Sequence, residues 1–415
     1  MKFNLNTEKP AARYRRDLLT IFQAALQRVN GERCVAEWLS AGAGEPCAVI
    51  AIGKAAPAMM LGARHSLGDK LLEGLVITRE GYASPGLSNH PRIRQIESAH
   101  PVPDARSLVA GQLLLDFIAE QPQDRSLLFL ISGGTSSLVE VLSDGITLED
   151  LQRLNDWLLS SGLDIRQMNS LRRRISRIKG GRLARYLEGR QARVLLISDV
   201  PGDDPAIIGS GLLYPQAQER RLPNVPGWFP ALQEQAPPRE TTPVPHHLVA
   251  TSAQAVAAAV QRASELGYAV HGNLPFLQGD AAQQGARFAD YLLGATPGMY
   301  ILGGETTVTL PEHPGRGGRN QHLALTSARA IAGRDDVLIL AAGTDGSDGP
   351  GEDAGALVDG KTWQRAIDEN LDPDLALQQA DSGTILQATG DLLSTGPTDT
   401  NVMDLLMGLR LPVNV

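Results

Sequence analysis

Five short runs of consecutive apolar residues punctuate the chain, and each gives way at once to a polar loop. Residues 49–52 are followed by Gly53 and Lys54, residues 127–131 by Ser132, Gly133 and Gly134, and residues 194–197 by Ser198 and Asp199. Residues 300–302 lead into Gly303, Gly304 and Glu305, and residues 337–341 into Gly343, Thr344, Asp345 and Gly346. Runs that are apolar at every position, rather than alternating, are the pattern of strands covered on both faces by helices. Helical spacing lies between them. Leu108, Gly111, Leu115 and Ile118 recur on one face until Pro122 stops the segment, and Leu148, Leu151, Leu154 and Leu158 do the same. Thr147, with Asp150 three residues on, predicts a capping box at the start of the second of these helices. Strand, loop and helix alternate throughout, which predicts an α/β fold with largely parallel sheets.

The alternation breaks between residues 215 and 245, where eight prolines fix the backbone and remove donors. An extended connector is expected there, separating an N-terminal domain of residues 1–240 from a C-terminal domain of residues 246–415. A helix over residues 252–267 opens the second half, and residues 1–45 could cross back to pack on the other lobe. No internal repeat or low-complexity tract interrupts either half.

Length agrees with two domains, since 415 residues exceed the roughly 100–200 of a single one. A hydrophobic content of 42% with 20% charged residues excludes a disordered or fibrous chain. The net charge of -8 provides no basic field for nucleic-acid phosphates, so any anionic ligand is a small molecule held locally. Cys34 and Cys47 can build neither a disulfide framework nor a multi-cysteine metal site, as fits a reducing cytoplasm. No run reaches the roughly 18 apolar residues needed to span a bilayer, and the N-terminal segment has no signal-peptide core. Neither a membrane nor export is expected. A homodimer is left open.

The loops carry the chemistry. Ligands of open α/β sheets sit outside the carboxyl ends of strands, where glycine lets backbone N–H groups approach an anion. Lys54 stands before a helix opened by Ala55 and Ala56, where it could meet a phosphate beside the positive helix end or remain a surface lysine. Ser132, Gly133, Gly134, Thr135, Ser136 and Ser137 offer amides and four hydroxyls, a cradle for phosphate or carboxylate oxygens or else a plain turn and cap. Arg172, Arg173, Arg174, Arg177 and Lys179 fall within eight positions; such runs are usually solvated, although Lys179 before Gly180 and Gly181 could meet phosphate. Asp199 could orient a hydroxyl or bind Mg2+, while Asp203 and Asp204 could simply cap a turn. Farther along, Glu305 is a lone carboxylate in a glycine loop. Arg319, in Gly315-Arg316-Gly317-Gly318-Arg319-Asn320-Gln321, suits a phosphoryl clamp, because a planar guanidinium can hold two oxygens at once. Asp345 and Asp348 supply carboxylates for Mg2+ or a Mg-nucleotide, or form an acidic turn without a ligand.

Two signatures are missing. There is no Gly-x4-Gly-Lys-Ser/Thr loop and no Gly-x-Gly-x-x-Gly after a strand, which excludes a Walker NTPase and gives no support to a dinucleotide fold. No paired-histidine spacing suggests zinc, and His246 and His247 are expected to be structural or exposed.

Taken in order, the motifs resemble the glycerate 2-kinase family with a MOFRL C-terminal domain, whose members have often been labelled hydroxypyruvate reductase. The resemblance runs through GKAAPAM at 53–59, HPVPD at 100–104, SGGTSSL at 132–138, SRIKGGRLA at 176–184 and SDVPGDD at 198–204. It continues through GGETTVTL at 303–310, GRGGRNQ at 315–321, AAGTDGSDGP at 341–350 and GPTDTNV at 396–402. It implies a three-layer α/β/α N-terminal domain with a largely parallel sheet, a smaller α/β MOFRL domain, and a cleft between them. It also implies transfer of the γ-phosphoryl group of ATP, with Mg2+, to the 2-hydroxyl of D-glycerate. The family's lysine and arginine fall on Lys54 and Arg319, and its Ser-Asp-Val-Pro-Gly-Asp makes Asp199 the candidate to orient or deprotonate the acceptor. Ser132, Gly133, Gly134, Thr135, Ser136, Lys179, Glu305 and Asn320 are the expected substrate or phosphate contacts, with Asp345 and Asp348 at the metal.

The chain departs from the family pattern at Thr135, where a third glycine is usual, at Arg172-Arg173-Arg174-Ile175-Ser176, and at Ser210-Gly211-Leu212-Leu213. Those departures motivate a second class, a binding protein for a sugar acid or nucleotide without turnover or with another substrate. A NAD(P)H-dependent reductase is the third.

Overall fold

The computed structural model describes residues 10–42, 44–161, 163, 165–215, 226–229, 243–272 and 274–412. The chain divides into two compact units, Gly31–Ala250 and Thr251–Val415, the latter joined by the segment up to Asn30. In chain order the first part comprises α1 (Pro10–Arg28), α2 (Gly31–Ser40), β1 (Cys47–Ile52), α3 (Ala56–Leu67), β2 (Leu71–Arg79), β3 (Ile93–Ser98) and α4 (Ala105–Glu120). Then follow β4 (Ser126–Ile131), α5 (Thr135–Leu138), α6 (Leu148–Ser160), α7 (Ile165–Arg174), β5 (Ala192–Ile197) and β6 (His246–Ala250). Among the described residues no helix is long and apolar enough to cross a membrane.

In the unit Gly31–Ala250 the six strands are all parallel, in the order β3-β2-β1-β4-β5-β6. The chain builds outward from β1 to β3, then restarts on the other side of β1 with β4. The switch point therefore lies between β1 and β4, the place where an open α/β sheet receives ligands. Ile52 pairs with Ile131 at the end of that ladder, so the loops after the two strands leave side by side. Ile50, Ile52, Phe129 and Ile131 are fully or almost fully buried beside Leu114, Phe117 and Ile118 of α4, while α3 packs on β1 and β2 and against α2. Full burial removes about 1.5–3 kcal/mol of hydration cost per large apolar side chain, which accounts for the unbroken apolar runs. The capping box at Thr147 is formed, with Thr147 Oγ1 accepting from Asp150 N and Asp150 Oδ2 from Thr147 N. Most of the proline-rich connector, residues 216–225 and 230–242, lies outside the described residues.

The boundary falls at Ala250 rather than between residues 240 and 246, because β6 bonds to β5 and completes the parallel sheet. His246 and His247 belong to that strand: His246 Nδ1 meets Val244 O at 2.7 Å, and His247 packs against Trp38.

The second unit contains α8 (Ser252–Glu265), β7 (Val270–His271), β8 (Leu277–Asp280), α9 (Ala281–Gly294), β9 (Gly298–Thr307), α10 (Arg319–Ala330) and β10 (Val337–Gly343). After them come β11 (Gly355–Asp359), α11 (Thr362–Asp368), α12 (Pro373–Gln378), α13 (Ser382–Ala388), β12 (Leu392–Leu393) and β13 (Asp404–Arg410). The sheet order is β12-β11-β10-β13-β9-β7, with β8 beside β9. Here the expectation of a largely parallel sheet fails, since β10 runs antiparallel to β11 and β13, and β13 antiparallel to β9. Only the turn-bearing segment 344–354 joins β10 to β11, shorter than the helical crossover that a parallel return needs.

Helix α1 belongs to this second unit, whereas α2 belongs to the first. It packs on α8, and Arg15 pins it by donating to Asp359 at 2.7 Å, to Asp391 at 2.8 Å and to the Leu357 carbonyl at 2.7 Å. Arg365 binds the same two carboxylates, so every charge in this partly buried group has an opposite neighbour.

Candidate active site

At the switch point of the parallel sheet two loops are stitched together through their backbones. Lys54 N donates to Gly133 O at 2.9 Å, Ser132 N to Ile52 O at 3.0 Å, and Ala55 N to Ser132 Oγ at 3.1 Å. Gly53 permits this approach: its φ is +131°, and a Cβ there would lie 2.1 Å from Ser132 Oγ. Lys54 is half-buried. Gly134, at φ +87°, turns the loop toward α5, and a Cβ on it would press on the His100 ring and the Lys54 stem, 3.0 and 3.3 Å away.

The hydroxyls expected to cradle a ligand divide into two groups. Ser132 and Thr135 are fully buried, and their hydroxyls serve the fold, since Thr135 Oγ1 donates to Ile52 O at 3.0 Å and Ser132 O at 2.7 Å. Both hydroxyls are thus engaged inside the fold, as a buried hydroxyl takes the nearest backbone acceptor. Thr135 needs no glycine, as it opens α5 with an ordinary helical backbone. Gly134 and Ser136 remain half-buried, and Ser136 Oγ meets Ser210 Oγ. Gly133 is buried and contributes its carbonyl to the stitch.

Lys179 is engaged inside the fold too. Its Nζ lies 2.5 Å from Glu140 Oε2, with the two side chains 3% and 1% exposed, so the cation faces an internal carboxylate. Glu140 went unrecognised in the sequence, although an acid between Val139 and Val141 in an apolar stretch was the available signal. The other departures from the family pattern also find structural uses. Leu212 and Leu213 fill the core under the sheet, Ile175 fills a second apolar cluster, and Arg172 Nε donates to Asn155. Asp199 lies half-buried just beyond the end of β5, two strands from β1.

In the mixed-sheet unit the geometry centres on the start of α10. Arg319 is its first residue, and its guanidinium donates from Nε to Asp404 Oδ2 at 2.6 Å and from Nη2 to Asp404 Oδ1 at 2.8 Å. Glu305 Oε1 lies 3.0 Å from the same Nη2. The two-oxygen fork assigned to a phosphoryl group thus meets Asp404, which is 1% exposed against 27% for Arg319, because a buried carboxylate requires a cation beside it. Burial would lower the Arg319 pKa; Asp404, then Glu305 and Asp348, outweigh it and hold the guanidinium above its ordinary value. Asp404 was not identified as a site residue, although it is the one acid in the apolar stretch 402–409.

Asp348 caps the start of α10. Completely buried, it accepts Asn320 N at 3.0 Å and Gln321 N at 2.8 Å, so both oxygens are bound to the first turn of α10. Burial pushes its pKa up to about 7 against the pull of those two N–H groups, and Asp404 adds to the rise. Asn320, 1% exposed, donates Nδ2 to the same carboxylate at 3.3 Å. Asp345 is buried too, with Oδ1 accepting from Ser347 N and Oγ at 2.9 and 3.0 Å. Among the described residues no group of three or more His, Cys, Asp or Glu side chains could hold a metal ion. Asn320 Oδ1, Gln321 Oε1 and Thr306 Oγ1 are buried without a partner among the described residues, the condition of polar atoms beside a hydrated or ligand-bearing site.

Comparison with known proteins agrees across both units. Residues 17–222 match the domain of unknown function DUF4147, and residues 298–404 match the MOFRL family. D-glycerate 2-kinase of Thermotoga maritima is 34% identical, covering 94% of this chain and 97% of the relative. A protein of Agrobacterium vitis provisionally named hydroxypyruvate reductase is 37% identical over 86% of this chain and 98% of its own. The crystal structure of the Thermotoga maritima glycerate kinase superposes with a TM-score of 0.85, covering 96% of this chain and 100% of the other at 32% identity. With a parallel sheet read through its switch point, an arginine opening α10, and relatives matched nearly end to end, the chain belongs to the glycerate 2-kinase family with a MOFRL C-terminal domain.

Proposed function

We propose that the protein transfers the γ-phosphoryl group of ATP to the 2-hydroxyl of D-glycerate, or of a closely related small 2-hydroxy acid, giving 2-phosphoglycerate and ADP. The observation that carries this reading is the pair of stitched loops at the switch point, which set half-buried Lys54 against Gly134, with half-buried Ser136 farther along the same loop. Phosphoryl transfer asks a protein mainly for positioning and positive charge, and such a loop pair supplies both. Lys54 neutralises phosphoryl oxygens, and the half-buried Gly134 and Ser136 orient them. Asp199 orients the acceptor hydroxyl and takes its proton. Arg319 is the second cation assigned to the reaction.

A triphosphate fits this loop pair by the chemistry of its donors. ATP supplies the transferable group, and Mg2+ neutralises its charge when bound. Mg2+ would be held by one or two carboxylates, with Asp345 the candidate, together with phosphate oxygens and water, and would supply charge neutralisation there. The sheet order equals that of dinucleotide-binding folds, but the first turn after β1 reads Gly53-Lys54-Ala55-Ala56, without the three-glycine fingerprint that a reductase would use.

The test is incubation of the purified protein with Mg-ATP and D-glycerate, following ADP by a coupled assay and the product by 31P NMR. Phosphate on C2 couples to one proton and gives a doublet, whereas phosphate on C3 couples to two and gives a triplet. Absence of ADP above the glycerate-free control, or NADPH consumption with hydroxypyruvate in its place, would reject the kinase.

A further inference from the structure

Within the mixed-sheet unit Arg319 is held in one orientation by a strand rather than by its own helix. Asp404 opens β13, and its ladder partners are Gly343 of β10 and Gly304 of β9. On the Gly343 side the carboxylate lies close to the neighbouring strand, since a Cβ built there would be in contact with Asp404 Oδ1 at 3.5 Å. Thr344 then ties the residue before it, accepting from Val402 N at 2.8 Å and donating to Met403 O at 2.6 Å. The acid is therefore a fixed acceptor. Its two oxygens meet Nε and Nη2, so the guanidinium plane and its rotation are both set. Nη1 makes no bond among the described residues. On the other side, Asp348 fixes the backbone that carries the side chain through Asn320 N and Gln321 N.

We propose that Asp404 is the positioning residue of Arg319: by occupying the Nε and Nη2 edge it leaves Nη1 as the donor offered to an anionic ligand, and makes the arginine a one-edged contact. This rests on the reading of Arg319 as the second cation of phosphoryl transfer. A residue that only balances charge would be replaceable by any arrangement that keeps the fold. A positioning residue would not, because misplacing a charge-stabilising donor by about 1 Å costs on the order of 100-fold in rate.

Two measurements separate the positioning role from the activity. In 1H-15N spectra of arginine-labelled protein, the Arg319 Nε–H, identified by its loss in Arg319→Lys, is expected as a slowly exchanging downfield resonance that disappears in Asp404→Asn. A resonance unchanged by Asp404→Asn, or never present, overturns the proposal whether or not the wild type is a kinase. Wild-type protein without glycerate-dependent ADP release, but with the expected resonance change, rejects the kinase and keeps the positioning role. In the kinetic arm Asp404→Asn is expected to lower kcat by about 10- to 100-fold with a smaller change in KM, and to have little further effect in an Arg319→Lys background. Equal losses in both backgrounds would show Asp404 acting independently of Arg319 and overturn the proposal. Should Asp404→Asn not fold, Arg319→Lys stands alone: charge is kept and the fork is lost, so kcat must fall at least about 10-fold with melting near wild type, and full kcat overturns the proposal.

Discussion

Exchanging Lys179 for methionine deletes half of an ion pair that the parallel-sheet unit has sealed from water. The side chains are 3% and 1% exposed and meet at 2.5 Å, so the Glu140 carboxylate left behind has no solvent to replace its partner. Stranding a buried charge in this way costs about 3–5 kcal/mol. Each kcal/mol corresponds to roughly 2–4 °C in a domain of this size, so the melting temperature should fall by about 6–20 °C. Lys179→Met with Glu140→Leu removes both charges together, and the same reasoning places the double variant within about 1 kcal/mol of wild type or above it. The assay is calorimetry of the full chain, which resolves the two units if they melt separately, with urea titration for the free energy. A loss below about 1 kcal/mol for Lys179→Met alone, or a double variant as damaged as the sum of the single ones, would refute the sealed-pair account. The pair links segments bordering the switch point, since Glu140 follows α5, and the Gly180 amide next to Lys179 donates to Ser210 O at 3.0 Å.

Gly53→Ala should destabilise the parallel-sheet unit by about 1–3 kcal/mol and lower kcat/KM more than stability alone explains, because its methyl would sit 2.1 Å from Ser132 Oγ and pry the stitched loops apart; thermal melts beside steady-state kinetics check it. Lys54→Met should lower kcat by about 100- to 1000-fold while leaving the melting temperature near wild type, as measured by ADP release. Asp348 supplies a pH test. Its folded pKa, about 7, lies above that of an unfolded carboxyl, so between the two values the folded protein holds a proton that the unfolded chain has released. The stability it contributes is complete below the unfolded pKa and is lost as pH rises through about 7. The difference in melting temperature between wild type and Asp348→Asn, followed from pH 5 to 8.5, should therefore shift against wild type as pH rises; a flat difference would reject the assignment.

Several features were legible because they depend on neighbours in sequence. All five apolar runs form strands, residues 108–118 fall within α4, and the Thr147 box forms as its spacing predicts. Lys54 and Arg319 also stand where a strand end and a helix start were expected. Less legible were partners contributed by distant segments. Glu140 and Lys179 are 39 positions apart, and Arg319 and Asp404 are 85 apart, while each acid resembles nothing more than an interruption in an apolar stretch. The internal partners of Ser132, Thr135, Lys179 and Asp348 were illegible for one cause: a polar atom has no preferred partner in sequence, and only its depth decides whether it must find one inside the protein.

From the order of its residues this chain fixes which segments become strands and helices and where glycine permits a close backbone approach. Those properties arise from φ restrictions and apolar periodicity, which act over a few residues. The strand order that places the switch point between β1 and β4, the antiparallel return of β10, and the assignment of α1 to the second unit required the folded chain. So did the choice of which charges face one another. Pairing and burial are set by contacts among segments far apart along the chain, and a carboxylate becomes a clamp, a helix cap or an ion-pair partner according to the cation or amide that the fold brings within about 3 Å of it.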